Sequence, residues 1–250
     1  MAQPAQRVRI TNPADGGFIY WLAKLYCFGA LVLCVGGVAT LPAAYIAVAR
    51  MAPEPPDLAT FKAETELATQ ILGSDGALLT TLVSKRRKLT PVDAVPPLQI
   101  KAFLAAEDRS FYEHGGVDFR GIMRAALANL RAGTVRQGGS TITQQVAKAN
   151  LSPERTIQRK LKEVVLARRM EALYSKNQIL YLYLNHIFLG AGAYGVAAAA
   201  NIYFGRSLDQ LTVAQMATLA GLVRAPSRYS PRRHPARATR RRDHVLKAMA

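Results

Sequence analysis

The spacing of apolar and polar residues predicts a mainly helical chain. From residue 96 onward, apolar residues recur at the three-to-four-residue interval of amphipathic helices. The segments with this pattern are 98–106, 121–131, 140–151, 156–173, 177–189, 193–204 and 212–223. Before them, 70–83 holds two apolar stretches around Gly73-Ser74-Asp75-Gly76, which indicates a short β-hairpin. The predicted fold is therefore mainly α, with one small β element.

A long apolar segment precedes the hairpin. Residues 25–48 contain no charged side chain, and a helix of that length is long enough to cross a bilayer core. The basic residues Arg7, Arg9 and Lys24 precede it, so the positive-inside rule places the N-terminus in the cytoplasm. The alternatives are a buried core helix and a cleaved signal peptide, whose apolar region is usually shorter.

These patterns predict four parts of the chain. Residues 1–24 are a cytoplasmic N-terminus, 25–48 a transmembrane helix, 49–66 a proline-rich and then charged linker, and 67–250 a folded domain. This order places the folded domain outside the cytoplasm.

The charge balance favours an anionic partner. The formal net charge is +17, from 33 basic and 16 acidic side chains. Because the folded domain is predicted to lie outside the cytoplasm, the sequence favours phospholipid headgroups or a phosphorylated substrate over nucleic acid. Seven arginines lie between Arg228 and Arg242. They are interpreted as a solvated basic surface, or as one attracted to anionic headgroups or substrate phosphates.

The first candidate site is the segment 107–118, EDRSFYEHGGVD. An apolar helix is predicted to end at Glu107, where the negative end of the helix dipole and partial burial would raise the pKa of this carboxyl. Such a group is a candidate general base. The alternative is an ordinary polar helix end followed by a loop. His114 is interpreted as a loop histidine that bonds the backbone, because no second cluster has metal-ligand spacing.

The second candidate site is the segment 137–148, QGGSTITQQVAK. Two glycines precede a helix start in which Thr141 and Gln144 have the spacing of a capping box. Free N–H groups at such a start can hold an anion or a sugar oxygen. The alternative is a well-capped structural helix.

The third candidate site is the segment 155–171, RTIQRKLKEVVLARRME. Arg155, Arg159 and Glu163 share one face of the predicted helix, and Lys160 lies one turn before Glu163. The functional interpretation is a carboxylate among cations that hold a diphosphate. The alternative is a solvated, salt-bridged face.

In this order, the motifs EDRSFYEHGGVD, GGSTITQQ and RKLKE resemble glycosyltransferase family 51. This family is the peptidoglycan polymerase module of monofunctional transglycosylases and class A penicillin-binding proteins. The resemblance extends from about residue 67 to the end and includes 181–205 and 211–231. It implies a lysozyme-like glycosyltransferase domain that is mainly α, with an apolar subdomain at 121–135 near the membrane.

The resemblance also implies the roles of individual residues. Glu107 would be the general base that deprotonates the acceptor 4-hydroxyl, and Glu163 would assist departure of the diphosphate. The implied substrate-binding residues are Asp108, Phe111, His114, Ser140, Thr141, Gln144, Gln145, Lys148, Arg155, Arg159 and Lys160. A divalent cation, Mg²⁺ or Mn²⁺, often supports the leaving group in this family, but no residue pattern fixes a metal site here.

The implied reaction is inverting polymerisation of lipid II into β-1,4-linked strands, with release of undecaprenyl diphosphate. The implied partners are lipid II, the nascent glycan strand, membrane lipids and wall-synthesis proteins. The implied location of the domain is the periplasmic side of a bacterial inner membrane. A lysozyme-like glycan hydrolase and a non-catalytic membrane scaffold remain as alternatives.

Two features depart from the family pattern. Gln215 stands where the family usually has Glu, and Val223-Arg224 replaces a proline-containing pair. Both are expected to alter packing rather than activity. No transpeptidase motif follows in this chain, which is interpreted as a piece of a bifunctional protein.

Overall fold

The computed structural model describes residues 16–61, 69–82, 88–134, 138–154 and 156–250, and these residues are mainly helical. The helices are α1 (Gly16–Met51), α2 (Pro97–Glu107), α3 (Phe119–Ala132), α4 (Ile142–Ala149), α5 (Ile157–Leu173), α6 (Lys176–His186), α7 (Val196–Phe204), α8 (Val213–Leu222) and α9 (Pro235–Met249). The strands are β1 (Thr69–Leu72), β2 (Leu78–Leu82), β3 (Phe188–Gly190) and β4 (Ala193–Tyr194). β1 pairs antiparallel with β2, and β3 pairs antiparallel with β4. The mainly α prediction is confirmed.

The chain divides after Arg50 into two compact units. The first unit contains most of α1, whose described side chains at residues 20–33 are all exposed. Among the described residues, no helix combines the length and the apolar character that crossing a membrane requires. The predicted membrane span at 25–48 is therefore not confirmed.

The core of the second unit is built from two groups of three helices. α4 packs against α5 and α6, and α8 packs against α2 and α9. The largest side chains that are fully buried include Phe103, Leu166, Met170, Tyr183 and Leu219. α2 also packs against α9, so the C-terminal end of α2 lies beside a helix that follows it by more than a hundred residues.

Short polar residues set the first turn of most of these helices. Asp118 caps α3 by accepting a hydrogen bond from the N–H of Gly121, and Thr156 caps α5 in the same way. α4, α6 and α8 each begin with a complete capping box, formed by Thr141 and Gln144, Ser175 and Gln178, and Thr212 and Gln215. These side chains satisfy N–H groups that have no partner within the helix.

Gln215, which was expected to alter packing, completes the cap at the start of α8. Its Oε1 accepts the N–H of Thr212 at 2.9 Å, and its own N–H donates to the Thr212 hydroxyl at 3.3 Å. An amide oxygen serves as well as a carboxylate in this reciprocal cap, so glutamine at this position preserves the start of α8.

Substituting the cap of α8 tests this account of the fold. Thr212→Ala removes the acceptor of the Gln215 N–H, and we expect the free energy of unfolding to fall by about 1 kcal/mol. Gln215→Glu is the matched control, because it keeps the reciprocal bond. Chemical denaturation measures both; an unchanged midpoint for Thr212→Ala would contradict the assignment.

The β-hairpin predicted at 70–83 is confirmed as β1 and β2, with the predicted glycine-containing turn between them. The sequence also predicted a helix over 193–204. In the structure the first two residues of this segment form β4, and the helix α7 begins only at Val196. Gly195 separates the two elements with a φ of +83°, and a Cβ there would lie 3.0 Å from the carbonyl oxygen of Asn185. This close approach requires glycine and ends the strand.

Part of the predicted linker at 49–66 is held against α5. The guanidinium of Arg169 donates to the carbonyl oxygens of Ala52 and Pro53 at 3.1 and 3.3 Å, and the Tyr174 hydroxyl donates to that of Pro56 at 2.8 Å. Residues 62–66 of this linker lie outside the described residues. The first part of the linker is thus bound to the folded unit.

Candidate active site

Glu107 is the last residue of α2, and its carboxyl lies among groups from three other segments. The Gln145 amide donates to its Oε2 at 2.9 Å, and the Arg241 guanidinium lies 3.8 Å from its Oε1. The Glu107 side chain is only 14% exposed. Burial raises its pKa, although the Gln145 bond and the charges of Arg241 and Arg224 act in the opposite direction. The predicted direction of this pKa shift is confirmed.

Asp108 joins the loop after α2 to the start of α4. Its buried carboxylate accepts the N–H of Ile142 at 2.9 Å and lies 3.0 Å from Nε2 of His114. The N–H of Gly116 donates to Nδ1 of the same ring at 3.2 Å, so Nε2 carries the proton that faces Asp108. His114 therefore bonds the backbone, as predicted, and it orients the Asp108 carboxylate.

Phe111 packs beneath this loop. Its ring is fully buried, lies edge-on to His114 and has the Lys176 ammonium 4.5 Å from its centroid. Lys176 also donates to the carbonyl oxygen of His114 at 2.5 Å and to Glu171 at 2.8 Å. Phe111 and Lys176 therefore hold this loop in place.

Glu163 forms the second acidic centre of the site. It lies on α5 and is only 2% exposed. Its carboxylate accepts a hydrogen bond from the Lys160 ammonium, and Nη1 of Arg159 lies 3.5 Å away. Lys160 also donates to the hydroxyl of Ser140 at 3.0 Å. This group is a buried carboxylate held by two cations, one of which is about half exposed and able to contact a ligand.

The helix α4 connects the two acidic centres. Ser140 precedes its N-cap and binds the Lys160 of the second centre, whereas Gln145 lies one turn into the helix and binds Glu107. A helix of this length extends for only about 12 Å. The second and third sequence motifs therefore meet the first at the N-terminal end of one short helix.

The remaining predicted site residues differ in how accessible they are. Phe111, Thr141 and Gln144 are buried, and the last two are hydrogen-bonded to each other. In this structure they support the site from within the protein. Lys148 is exposed in the last turn of α4. Arg155 lies outside the described residues.

Arg241 is the site residue that the sequence interpretation missed, because the arginines of 228–242 were treated as one basic surface. Arg241 lies on the buried face of α9 together with Ala238, Val245 and Met249. These apolar residues have helical spacing, and Arg241 falls among them. That pattern could have identified Arg241 as the inward-facing arginine.

The described residues contain no cluster of three His, Cys, Asp or Glu side chains with the spacing to hold a metal ion. The donor set therefore does not define a protein-built metal site in this part of the chain. Mg²⁺ or Mn²⁺ stays a prediction from the family resemblance.

Comparisons with known proteins give one consistent result. The family model described as transglycosylase matches residues 75–250. The chain is 51% identical to penicillin-binding protein 1A of Escherichia coli K12 over 199 residues, which are 79% of this chain and 23% of that protein. It is 48% identical to penicillin-binding protein 1A of Aquifex aeolicus over 183 residues, 73% of this chain and 25% of that protein.

A solved structure of penicillin-binding protein 1A from Haemophilus influenzae matches 74% of this chain and 18% of that one, with 30% identity and a TM-score of 0.40. The chain spans about a quarter of the length of the curated relatives. Since the family model covers most of the chain, residues 75–250 are a transglycosylase domain, and the chain belongs to the transglycosylase family.

Proposed function

We propose that this domain is a peptidoglycan glycosyltransferase that polymerises lipid II into β-1,4-linked glycan and releases undecaprenyl diphosphate. The observation that carries the proposal is the pair of buried carboxylates beside α4. Glu107 has a raised pKa, and Glu163 is held by Lys160 and Arg159. This displacement requires a base to deprotonate the attacking hydroxyl and cations to stabilise the departing diphosphate.

Glu107 acts on the acceptor sugar. In its ionised form it takes the proton of the acceptor 4-hydroxyl while that oxygen attacks the anomeric carbon of the donor. Attack from the face opposite the diphosphate inverts the α-linkage to β. The Gln145 amide and the Arg241 guanidinium hold the carboxylate from two sides, and its raised pKa makes it a better base near neutral pH.

The cations beside Glu163 act on the leaving group. As the donor bond breaks, negative charge develops on the diphosphate, and positioned cations stabilise it more than they stabilise the ground state. Lys160 and Arg159 are kept in place by the Glu163 carboxylate. Glu163 thereby assists departure of the diphosphate, and exposed Lys148 adds a further charge from α4.

One face of α3 supports action at a lipid surface. Phe119, Met123, Leu127 and Leu130 are 69%, 64%, 50% and 80% exposed and lie along one side of this helix. Exposed apolar side chains in such a row are typical of helices that lie in a membrane interface. We therefore place the domain against membrane lipids, on the extracytoplasmic side that the sequence predicted.

The alternative functions make different predictions. A lysozyme-like hydrolase of neutral glycan has no diphosphate to stabilise, so the cations around Glu163 favour the polymerase. A non-catalytic scaffold for wall-synthesis proteins requires no base. Incubating the purified chain with lipid II separates these functions: lengthening strands support the polymerase, shortening of preformed glycan supports the hydrolase, and no change in either supports the scaffold.

The Arg241 side chain provides a pH test of the proposed base. Charged and titratable groups around Glu107 are Arg241, Arg224, Asp108 and Tyr183. Arg241 favours the ionised carboxylate, so Arg241→Gln raises the pKa of Glu107 further. Since the base must be ionised, we expect the acidic limb of the kcat/KM profile for polymerisation to move to higher pH.

The neighbouring Arg242 is the matched control for this pH test. It pairs with Asp243 at 2.7 Å instead of facing Glu107, so Arg242→Gln should leave the acidic limb in place. Arg241→Lys keeps the charge and should restore much of the original profile, which a merely structural role of the side chain would not predict. Identical profiles for the wild type and Arg241→Gln would contradict the proposed arrangement.

A further inference from the structure

Arginines near the C-terminus line an open cavity, and among its lining residues the proposed reaction uses only Arg241. The cavity has a volume of about 320 Å³ and lies between α9 and the segment after α8. Its lining includes Arg224, Arg228, Arg237, Arg240, Arg241 and His244. Of the described residues that line it, none is an aspartate or a glutamate. Several arginines of the C-terminal segment therefore line one cavity.

Like charges in this arrangement repel one another unless an anion lies between them. Arg241 has Glu107 on its far side at 3.8 Å, but Glu107 does not line the cavity. The positive field acts on His244, whose pKa is lowered by partial burial and by the charges of Arg241 and its neighbours Arg109, Arg224 and Lys247. The cavity therefore favours an occupant of negative charge.

Arg241 is the most deeply buried of the arginines that line the cavity. It is nine-tenths buried, and its Nε has no hydrogen-bond partner among the described residues. Because Arg241 lines the cavity and is largely withdrawn from water, solvent screens its charge weakly, and the charge acts strongly on an anion held there. Guanidinium groups match the geometry of phosphate oxygens and bind them with paired hydrogen bonds.

We propose that this cavity is a phosphate-binding site, distinct from the cations beside Glu163, which takes a diphosphate or a phospholipid headgroup. Arg241 lines the cavity and also lies beside Glu107. Its guanidinium would therefore stand between a bound phosphate and the Glu107 carboxylate. Any part that it plays in polymerisation rests on the proposed function. The binding itself rests only on the charge, shape and burial of the cavity.

Titration of His244 tests the proposal without requiring turnover. Inorganic pyrophosphate is added to the full chain, and the imidazole resonances are followed by nuclear magnetic resonance across pH. We expect a saturable rise in the pKa of His244, because a bound anion stabilises the imidazolium. His234 is the internal control, since it is exposed and does not line the cavity. Equal responses at His234 and His244 would indicate general charge screening and overturn the proposal.

Two exposed arginines give a variant that should fold normally. The double variant Arg237→Gln, Arg240→Gln removes two charges from the lining, and we expect pyrophosphate affinity to fall at least tenfold, roughly the effect of two charge-assisted hydrogen bonds. The matched variant Arg233→Gln, Arg242→Gln removes the same charge from residues outside the lining. Equal losses in the two variants would overturn the site.

Vesicle binding distinguishes the two sources of phosphate. Co-sedimentation compares phosphatidylglycerol vesicles with phosphatidylcholine vesicles for the wild type and the lining variant. A pyrophosphate response at His244 without a lining-dependent preference for anionic vesicles assigns the site to a diphosphate. A lining-dependent preference without a pyrophosphate response assigns it to a headgroup. Neither response would overturn the proposal. The proposed function can fail independently, through persistent polymerisation by Glu107→Gln.

Discussion

Glu107→Gln is expected to reduce kcat/KM for polymerisation by about 10²–10⁴-fold, the usual contribution of a positioned general base. Glutamine has nearly the same shape and can still accept the hydrogen bond from Gln145, but it cannot take a proton from the acceptor hydroxyl. Binding of the lipid-linked donor should persist. Strand formation from lipid II, followed by gel electrophoresis of the products, measures the loss.

The stability of the Glu107→Gln variant separates lost chemistry from lost folding. Because the pKa of Glu107 is raised above 4.5 in the folded state, its ionised form costs the folded protein free energy as pH rises through that pKa. A neutral amide avoids this cost, so the midpoint of thermal unfolding at neutral pH should be no lower than in the wild type. Substantial polymerisation by a well-folded variant would remove Glu107 from the role of base.

Lys160→Gln is expected to lower kcat/KM for the donor by about 10²–10³-fold, since removal of one group that stabilises developing charge has an effect of this size. The glutamine amide can still donate to Ser140, whereas the positive charge beside Glu163 is lost. Single-turnover kinetics with labelled lipid-linked donor measure the change.

Lys162→Gln is the matched control for the leaving-group prediction. Lys162 lies two positions after Lys160 on α5 and therefore points to a different side of the helix. Its substitution removes the same charge from the same helix, and we expect donor kinetics close to those of the wild type. Equal losses in the two variants would mean that general charge, and not the position of Lys160, affects the donor.

Local patterns predicted the elements that carry the site. The apolar segment that follows Pro97 ends at Glu107, and the spacing of Thr141 and Gln144 predicted the cap at the start of α4, because both features depend on residues close together in sequence. The neighbouring positions of Lys160 and Glu163 likewise follow from helical spacing alone. These parts of the site were therefore accessible without coordinates.

Contacts between distant segments could not be obtained in this way. The bond from Gln145 to Glu107 joins two helices, and the approach of Arg241 depends on the packing of α9 against α2. Helical spacing shows which side of α9 is apolar, but it does not show what that side covers. For the same reason, the burial of Phe111 became visible only when the surrounding helices were in place.

The most direct test of the central claim is a crystal structure of the chain with a non-reactive analogue of the lipid-linked donor and an acceptor disaccharide. The account predicts that the acceptor 4-oxygen lies within hydrogen-bond distance of Glu107 and that the diphosphate contacts Lys160 and Arg159. An analogue bound elsewhere, or Glu107 and Glu163 facing separate surfaces in the complex, would contradict it.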